Sequence, residues 1–186
     1  MPQGISVELP SKPVTATFDG AFYIEEPDRS SGIRVLSSQT VVRGNLVKVA
    51  CQSALDGAER SLQAESVTIE SSKETGAPNP LTMPVKSLGG NDFYYSAAPE
   101  PLGQQGITGG FGVSNIGLLV RTSGTATQVA SSSFLLEGVK VIVPAGVNPP
   151  QQGKVVLVTG ISSCESVGGE VHRLLRVRDQ SDIVEF

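Results

Sequence analysis

Four short blocks recur in the same order in the two halves of this chain. Thr15-Ala16-Thr17, Phe22-Tyr23-Ile24-Glu25, Gly32-Ile33-Arg34-Val35 and Gly44-Asn45-Leu46-Val47-Lys48-Val49 make up the first set. Thr125-Ala126-Thr127, Phe134-Leu135-Leu136-Glu137, Gly138-Val139-Lys140-Val141 and Gly153-Lys154-Val155-Val156-Leu157-Val158 make up the second. Only the spacers between them change length. An internal repeat constrains a chain more than any local propensity, because both copies must satisfy one supersecondary plan.

Each copy reads as five β-strands. A long β-prone segment opens it, Ile5–Phe18 in the first and Leu118–Val129 in the second, where Gly124 marks a bulge or tight bend. Strands are then predicted at 21–26, 32–36, 45–51 and 62–69, and again at 133–137, 138–143, 154–160 and 171–178. Five short strands with the first long and bent predict a small OB-like barrel. Such barrels commonly carry a helix between strands three and four. Here that interval is Ser37–Arg43 or Pro144–Gln152, and Pro144, Pro149 and Pro150 exclude a regular helix in the second. The expected fold is therefore all-β: two tandem OB-like five-stranded barrels related by internal duplication, with that helix reduced or absent. Residues 1–75 form the first barrel and 113–186 the second. Cys51 falls where the other copy has Gly160.

Residues 76–112 interrupt the pattern. They are dense in Pro and Gly, yet Phe93, Tyr94, Tyr95, Ile107 and Phe111 are too apolar for a free linker. An ordered strap across one or both barrels is expected, with Leu81–Leu88 adding an edge strand to the first. The aromatic cluster should dock on a barrel, since each buried ring stabilises by roughly 1.5–3 kcal/mol. Docking would leave barrel edges open near Val7–Leu9 and Val171–Arg178.

Chemistry-bearing motifs are sparse. Gly110-Phe111-Gly112 has Asn115 where a phosphate loop needs its third glycine, and it precedes a strand instead of a helix. Gly112-Val113-Ser114 lacks the closing glycine of a nucleophile elbow, because position 116 is Ile. His172 is the only histidine, so neither a serine triad nor a Cys/His zinc site with Cys51 and Cys164 can be assembled. The two cysteines are read as separate small thiols. Glu25, Glu26 and Asp28 crowd a turn without calcium-loop spacing and read as solvated, with Asp28 or Ser30 bonding locally. No catalytic residue, cofactor site or metal site is expected.

His172, Arg173, Arg176 and Arg178 form a basic cluster, in which strand alternation places His172, Arg176 and Arg178 on one face with Leu174. It reads either as edge protection or as an anion or acidic-glycan contact. Residues 1–75 carry seven basic against ten acidic side chains, and residues 113–186 six against six, within a net charge of −4. Nucleic-acid binders show a basic footprint, and neither half has one. Only 17% of residues are charged, and no Trp is present, which suits an exported all-β protein. No run approaches the length of a membrane span. No leader precedes the first repeat, so Met1-Pro2-Gln3 reads as the start of a fragment whose signal was removed.

The blocks FYIEEPDRSSGIRV, GLLVRTSGTATQV and VLVTGISSCE with RLLRVRDQSDI resemble the tandem OB-like repeats near the C-termini of large bacterial secreted or surface proteins. That resemblance covers both repeats and implies a fold, an extracellular or cell-surface setting and no catalytic residues. The expected role is a non-catalytic structural or interaction module whose partner is itself or a parent chain, self-assembling as a homo-oligomer through strand edges or the strap. The alternative is an OB-type module binding single-stranded nucleic acid or an oligosaccharide. The candidate interaction surface comprises Tyr23, Phe93, Tyr94, Tyr95, Phe111, His172, Arg176 and Arg178.

Overall fold

The structure is a computed structural model and describes residues 4–71, 77–97 and 102–186. The expected boundary at 75/76 and the opening Met1-Pro2-Gln3 lie outside the described residues. The described chain is all-β, with single turns of 3-10 helix at Val85–Ser87 and Gln180–Asp182. No helix among the described residues is long and apolar enough to cross a membrane.

Strands β1 (Ser6–Phe18), β2 (Ala21–Glu25), β3 (Gly32–Leu36), β4 (Leu46–Asp56) and β5 (Glu59–Ser71) close a barrel in the order β1-β2-β3-β5-β4. Every pairing is antiparallel except β3 with β5. Strict alternation along β4 buries Val47, Val49, Cys51 and Ser53 and turns the residues between them outward. Asp56-Gly57-Ala58-Glu59 makes the β4–β5 hairpin with Gly57 at φ 63°, a conformation glycine adopts without a Cβ clash.

The next strands are β6 (Leu81–Thr82), β7 (Phe93–Ser96), β8 (Leu102–Gln104), β9 (Leu119–Thr127), β10 (Ser133–Leu136), β11 (Val139–Ile142), β12 (Val155–Val167), β13 (Glu170–Arg176) and β14 (Ile183–Glu185). Seven form one sheet in the order β14-β12-β13-β11-β10-β9-β6, and an additional β12–β9 pairing links its members into a second five-strand ring. That ring repeats the pairings of the first, with β11 and β13 parallel. The β12–β13 hairpin turns on Gly168 and Gly169, both at positive φ.

Hydrogen bonds fix which residues correspond. Gly44 N–H donates to Val14 O and Val14 N–H to Asn45 O; Gly153 N–H donates to Ala126 O and Ala126 N–H to Lys154 O. Gly44 thus matches Gly153, and counting along β4 and β12 matches Cys51 with Gly160. A Cβ at Gly160 would meet Arg176 O at 2.5 Å. In the first ring a register shift falls between Ala50 and Cys51, and the Cys51 thiol is accommodated with its Sγ 3.6 Å from Val7 O.

One repeat block needs correction. Val14, not Ala16, corresponds to Ala126, so the two Thr-Ala-Thr triplets are offset by two residues. A register shift between Val14 and Ala16 in β1, where Val14 opposes Ile24 but Ala16 already opposes Tyr23, narrows the offset to one residue beyond it, so that Ala16 matches Thr127. Gly124 also differs from expectation. Its pairing with β12 is regular, and a Cβ there would meet Glu137 Cγ at 2.5 Å, so the glycine admits a side chain.

The strap is ordered where it is described, but its first part attaches to the other ring. β6 pairs in parallel with β9 at Val120 and Arg121, and Val85 and Leu88 enter the second core. It then crosses back. Gln104 on β8 accepts from Arg60 N–H at 2.7 Å and donates to Ala58 O at 2.9 Å, stapling the β7–β8 hairpin to the β4–β5 turn. Thr108 bonds both N–H and O of Val171, so the β13 edge expected to be open is covered at that point. Val7–Leu9 is likewise paired to β4 along one side.

The two rings meet directly. Strand β2 is buried at all five positions because Phe22 and Ile24 face its own core while Tyr23 and Glu25 face the second ring. Ala16, Tyr23, Leu119 and Ile161 form the apolar part of the seam. Gly32 and Gly117 touch through their backbones, and a Cβ on either would lie 2.3 Å from the carbonyl oxygen of the other.

Candidate functional site

A cavity of about 330 Å³ opens where β2 and β5, the β7–β8 hairpin and residues 114–117 converge. Leu9, Ile24, Ile33, Leu62 and Ile116 make its apolar walls, and Phe93 and Tyr94 stand at its margin. Glu25, Glu59 and Ser61 also line it, each at most 2% exposed. Strand alternation places Glu25 on the outward face of β2 with Tyr23, under the second ring. Glu59 and Ser61 share one face at the start of β5.

These three side chains are incompletely satisfied. Glu25 Oε1 accepts a short bond from Leu119 N–H across the seam, but Oε2 has no partner among the described residues. Glu59 Oε2 accepts from Tyr23 Oη at 3.2 Å and Ser163 Oγ at 2.6 Å, while Oε1 has none. Ser61 Oγ also lacks one. Native structures rarely leave buried acceptors unpaired, and each one costs about 1–3 kcal/mol. Burial pushes the Glu25 carboxyl up to about 7, only partly offset by the Leu119 amide and the Thr15 hydroxyl. Burial likewise raises Glu59, against the pull of Ser163 and Arg176. The arrangement is a pocket lined by buried carboxyls and a buried hydroxyl, with aromatic rings at its margin.

The residues expected to form an interaction surface separate into distinct groups. Tyr23 does not belong to any surface: it is 0% exposed, its ring sits edge-on to Phe18, and burial together with Glu59 raises its phenol. Phe93 and Tyr94 are exposed and pack edge-to-face at 4.9 Å, instead of docking as apolar anchors. Tyr95 lines a smaller neighbouring cavity of about 170 Å³ between the two β-hairpin turns. Phe111 is half exposed, and in that part of the strap Ile107 is buried instead.

The basic cluster is also dispersed. His172 is exposed, 3.7 Å from Glu170. Arg176 turns into the seam and donates from Nε to Ser163 Oγ at 3.1 Å. Arg178 lies beyond the strand, pairs with the buried Asp182 at 2.6 Å and donates to Thr15 O at 3.1 Å. Arg178 thus bonds across to the first ring, whereas Arg176 bonds within the second and reaches Glu59 and Tyr23 only through its charge.

The acidic turn needs the opposite correction. Asp28 accepts from Ser30 N–H at 2.9 Å, as expected of a solvated turn, but Glu25 is buried. Glu59 carried no sequence signal at all, because only the approach of the second ring encloses it. Cys51 and Cys164 are free and buried, and burial followed by Glu59 pushes the Cys164 thiol up to about 12. Compared with protein-family models, curated proteins and solved structures, the chain matches none of them.

Proposed function

We propose that this chain is a non-catalytic interaction module made of two tandem OB-like barrels, descended from one duplicated unit and joined into one rigid body. The ring order one-two-three-five-four, with the third and fifth strands parallel, supports the OB-like assignment. The repeated Gly44/Val14 and Gly153/Ala126 bonds support the duplication. Its setting is the surface or exterior of a bacterial cell.

The observation that carries the interaction role is the outer half of β5. Residues 64–71 have β4 as their described strand partner, whereas β3 engages only Ser61–Gln63. Ile69 is exposed on this segment, and Glu65 and Glu70 are its flanking charges. A half-paired strand with an apolar outward residue is a template for strand addition. Assembly between copies, or onto a parent chain, proceeds through this edge.

Sedimentation velocity across roughly micromolar to hundreds of micromolar protein tests the self-association arm. Reversible association weakened by Ile69→Lys is expected, and a monomer throughout that range refutes it. The alternative of a single-strand binder is opposed by Glu25, Glu26 and Glu59 lining the cavity, because phosphate contacts require cationic surface.

A further inference from the structure

We propose that the cavity beside β2 and β5 binds a primary ammonium group carried on a short apolar stem, contributed by a small amine or by a lysine side chain. The argument begins with the unpaired atoms. Glu25 Oε2, Glu59 Oε1 and Ser61 Oγ are buried without partners, and all three residues line one cavity. Thr122 Oγ1, also without a partner among the described residues, lies elsewhere, and the Arg60 guanidinium lines the same cavity as the three acceptors. Among the described residues few buried side-chain polar atoms lack a partner, and three of them fall in this one cluster.

The cluster has a definite chemistry. Two carboxylate oxygens accept only, and a serine hydroxyl accepts as readily as it donates. An ammonium offers three N–H donors and no acceptor, which matches three acceptors in number and kind. A guanidinium is a poorer match, since its planar fork favours one carboxylate edge-on. An anionic or phosphorylated ligand is repelled. Above this floor the walls are Leu9, Ile24, Ile33, Leu62 and Ile116, and Tyr94 at the rim presents a ring to cover the stem.

Neighbouring cations leave the site net acidic. Lys12 is paired with Glu26 at 2.7 Å. Arg34 pairs with Asp56, Arg176 is held by Ser163, and Arg60 Nε is spent on Gly103 O at 2.6 Å. Arg29 and Arg178 act on Glu25 only as lesser charges. A bound ammonium therefore competes with the proton that burial favours on the Glu25 carboxyl. Binding near neutral pH releases protons, a signature that purely apolar docking does not give.

The proposal stands apart from assembly through β5, because the two sites share no strand edge. The test is calorimetric titration of the full chain at pH 7 with phenethylammonium, 2-phenylethanol and phenylacetate, and with Nα-acetyl-lysine amide. The amine should bind at least about tenfold more tightly than the alcohol, the carboxylate should not bind, and proton release should appear as buffer-dependent heat. Glu25→Gln, Glu59→Gln and Ser61→Ala should each bring the amine toward the alcohol, while Tyr94→Ala weakens both. Comparable binding of the lysine amide assigns the stem to a partner's side chain, and its failure beside a binding amine assigns a free small molecule. Equal binding of amine and alcohol, or an amine preference that survives both glutamate substitutions, overturns the inference. Amide shifts confined to surfaces away from Ile33, Ser61 and Gly117 overturn it as well.

Discussion

Replacing Glu25 by Gln tests the seam through its pH dependence. In the folded chain the carboxyl is pushed up to about 7 from an ordinary 4.5, with burial as the principal cause. Folding therefore strengthens proton binding at this site. The linked stability is fully present below about pH 4.5 and is lost as pH rises toward 7. At about 1.4 kcal/mol per tenfold change in proton affinity, the loss is about 3 kcal/mol. Glu59 is raised for the same reason and adds a loss in the same direction. The carboxylates held low, Asp28 and Asp179, act only at lower pH and leave this window untouched. A glutamine at 25 retains an oxygen to accept from Leu119 N–H but carries no charge. Urea denaturation followed by far-UV circular dichroism at pH 5, 6, 7 and 8 is the assay. The parent protein should lose stability from pH 5 to 8, and Glu25→Gln should remove about 3 kcal/mol of that slope, becoming the more stable of the two at pH 8. A parent whose stability is flat or rises over this range, or a variant with an unchanged slope, refutes the buried-carboxylate reasoning.

Gly32→Ala should destabilise by about 2–3 kcal/mol, as overpacking against backbone does, because its Cβ would lie 2.3 Å from Gly117 O. Gly20→Ala, where nothing lies within 4 Å, should cost only the strain of its positive φ, about 1 kcal/mol, and thermal denaturation compares the two. Arg178→Met removes the counter-ion of the buried Asp182 carboxylate, leaving it the residue-178 backbone N–H, and withdraws the donor from Thr15 O; a loss of about 3 kcal/mol in chemical denaturation is expected. Cys51 and Cys164 should resist an aromatic disulfide reagent at pH 8 in the native protein and react at once in urea, since both thiols are buried and raised above their ordinary value.

Much of the strand plan was legible because hydrophobic alternation and glycine punctuation are local signals. The expected strands at 21–26 and 32–36 fall within a residue of β2 and β3. By contrast β4, β5 and β12 run beyond the repeat blocks, into hairpins at Gly57 and Gly168-Gly169. These turns connect polar strand ends that had no apolar periodicity to announce them. β14 was missed because three residues of edge pairing leave no pattern, and β7 and β8 because pairing, not composition, defines them. The site was hidden for a different reason. Tyr23 and Glu25 sit on the outward face of a closed barrel, where sequence reasoning expects solvent. Their burial depends on Leu119 and Ile161, about a hundred residues away, arriving on that face. The basic cluster failed similarly: Arg176 and Arg178 look like a charged strand edge until the first ring places Tyr23 and Thr15 against them.

The seam also explains why two similar rings make one body and not an open series. It is heterologous: the β2/β5 face of the first ring meets the β9/β12 face of the second, so equivalent surfaces do not face each other. Contacts of that kind propagate unless their outer copies are changed. Here they are. The second ring's counterparts of Tyr23, Glu25 and Glu59 are Leu135, Glu137 and His172, and Glu137 spends its Oε1 on Thr125 N–H within its own ring. The first ring's counterparts of Leu119 and Ile161 are Ser6 and Gln52, both exposed and polar. Apolar surface and buried acceptors are concentrated at the inner junction, while the matching outer faces are polar except at Leu135, much as the end units of repeat proteins are. Association between copies must then use a surface outside the repeat relation. This leaves the outer edge of β5, whose counterpart β13 ends at Arg176 just where β5 continues.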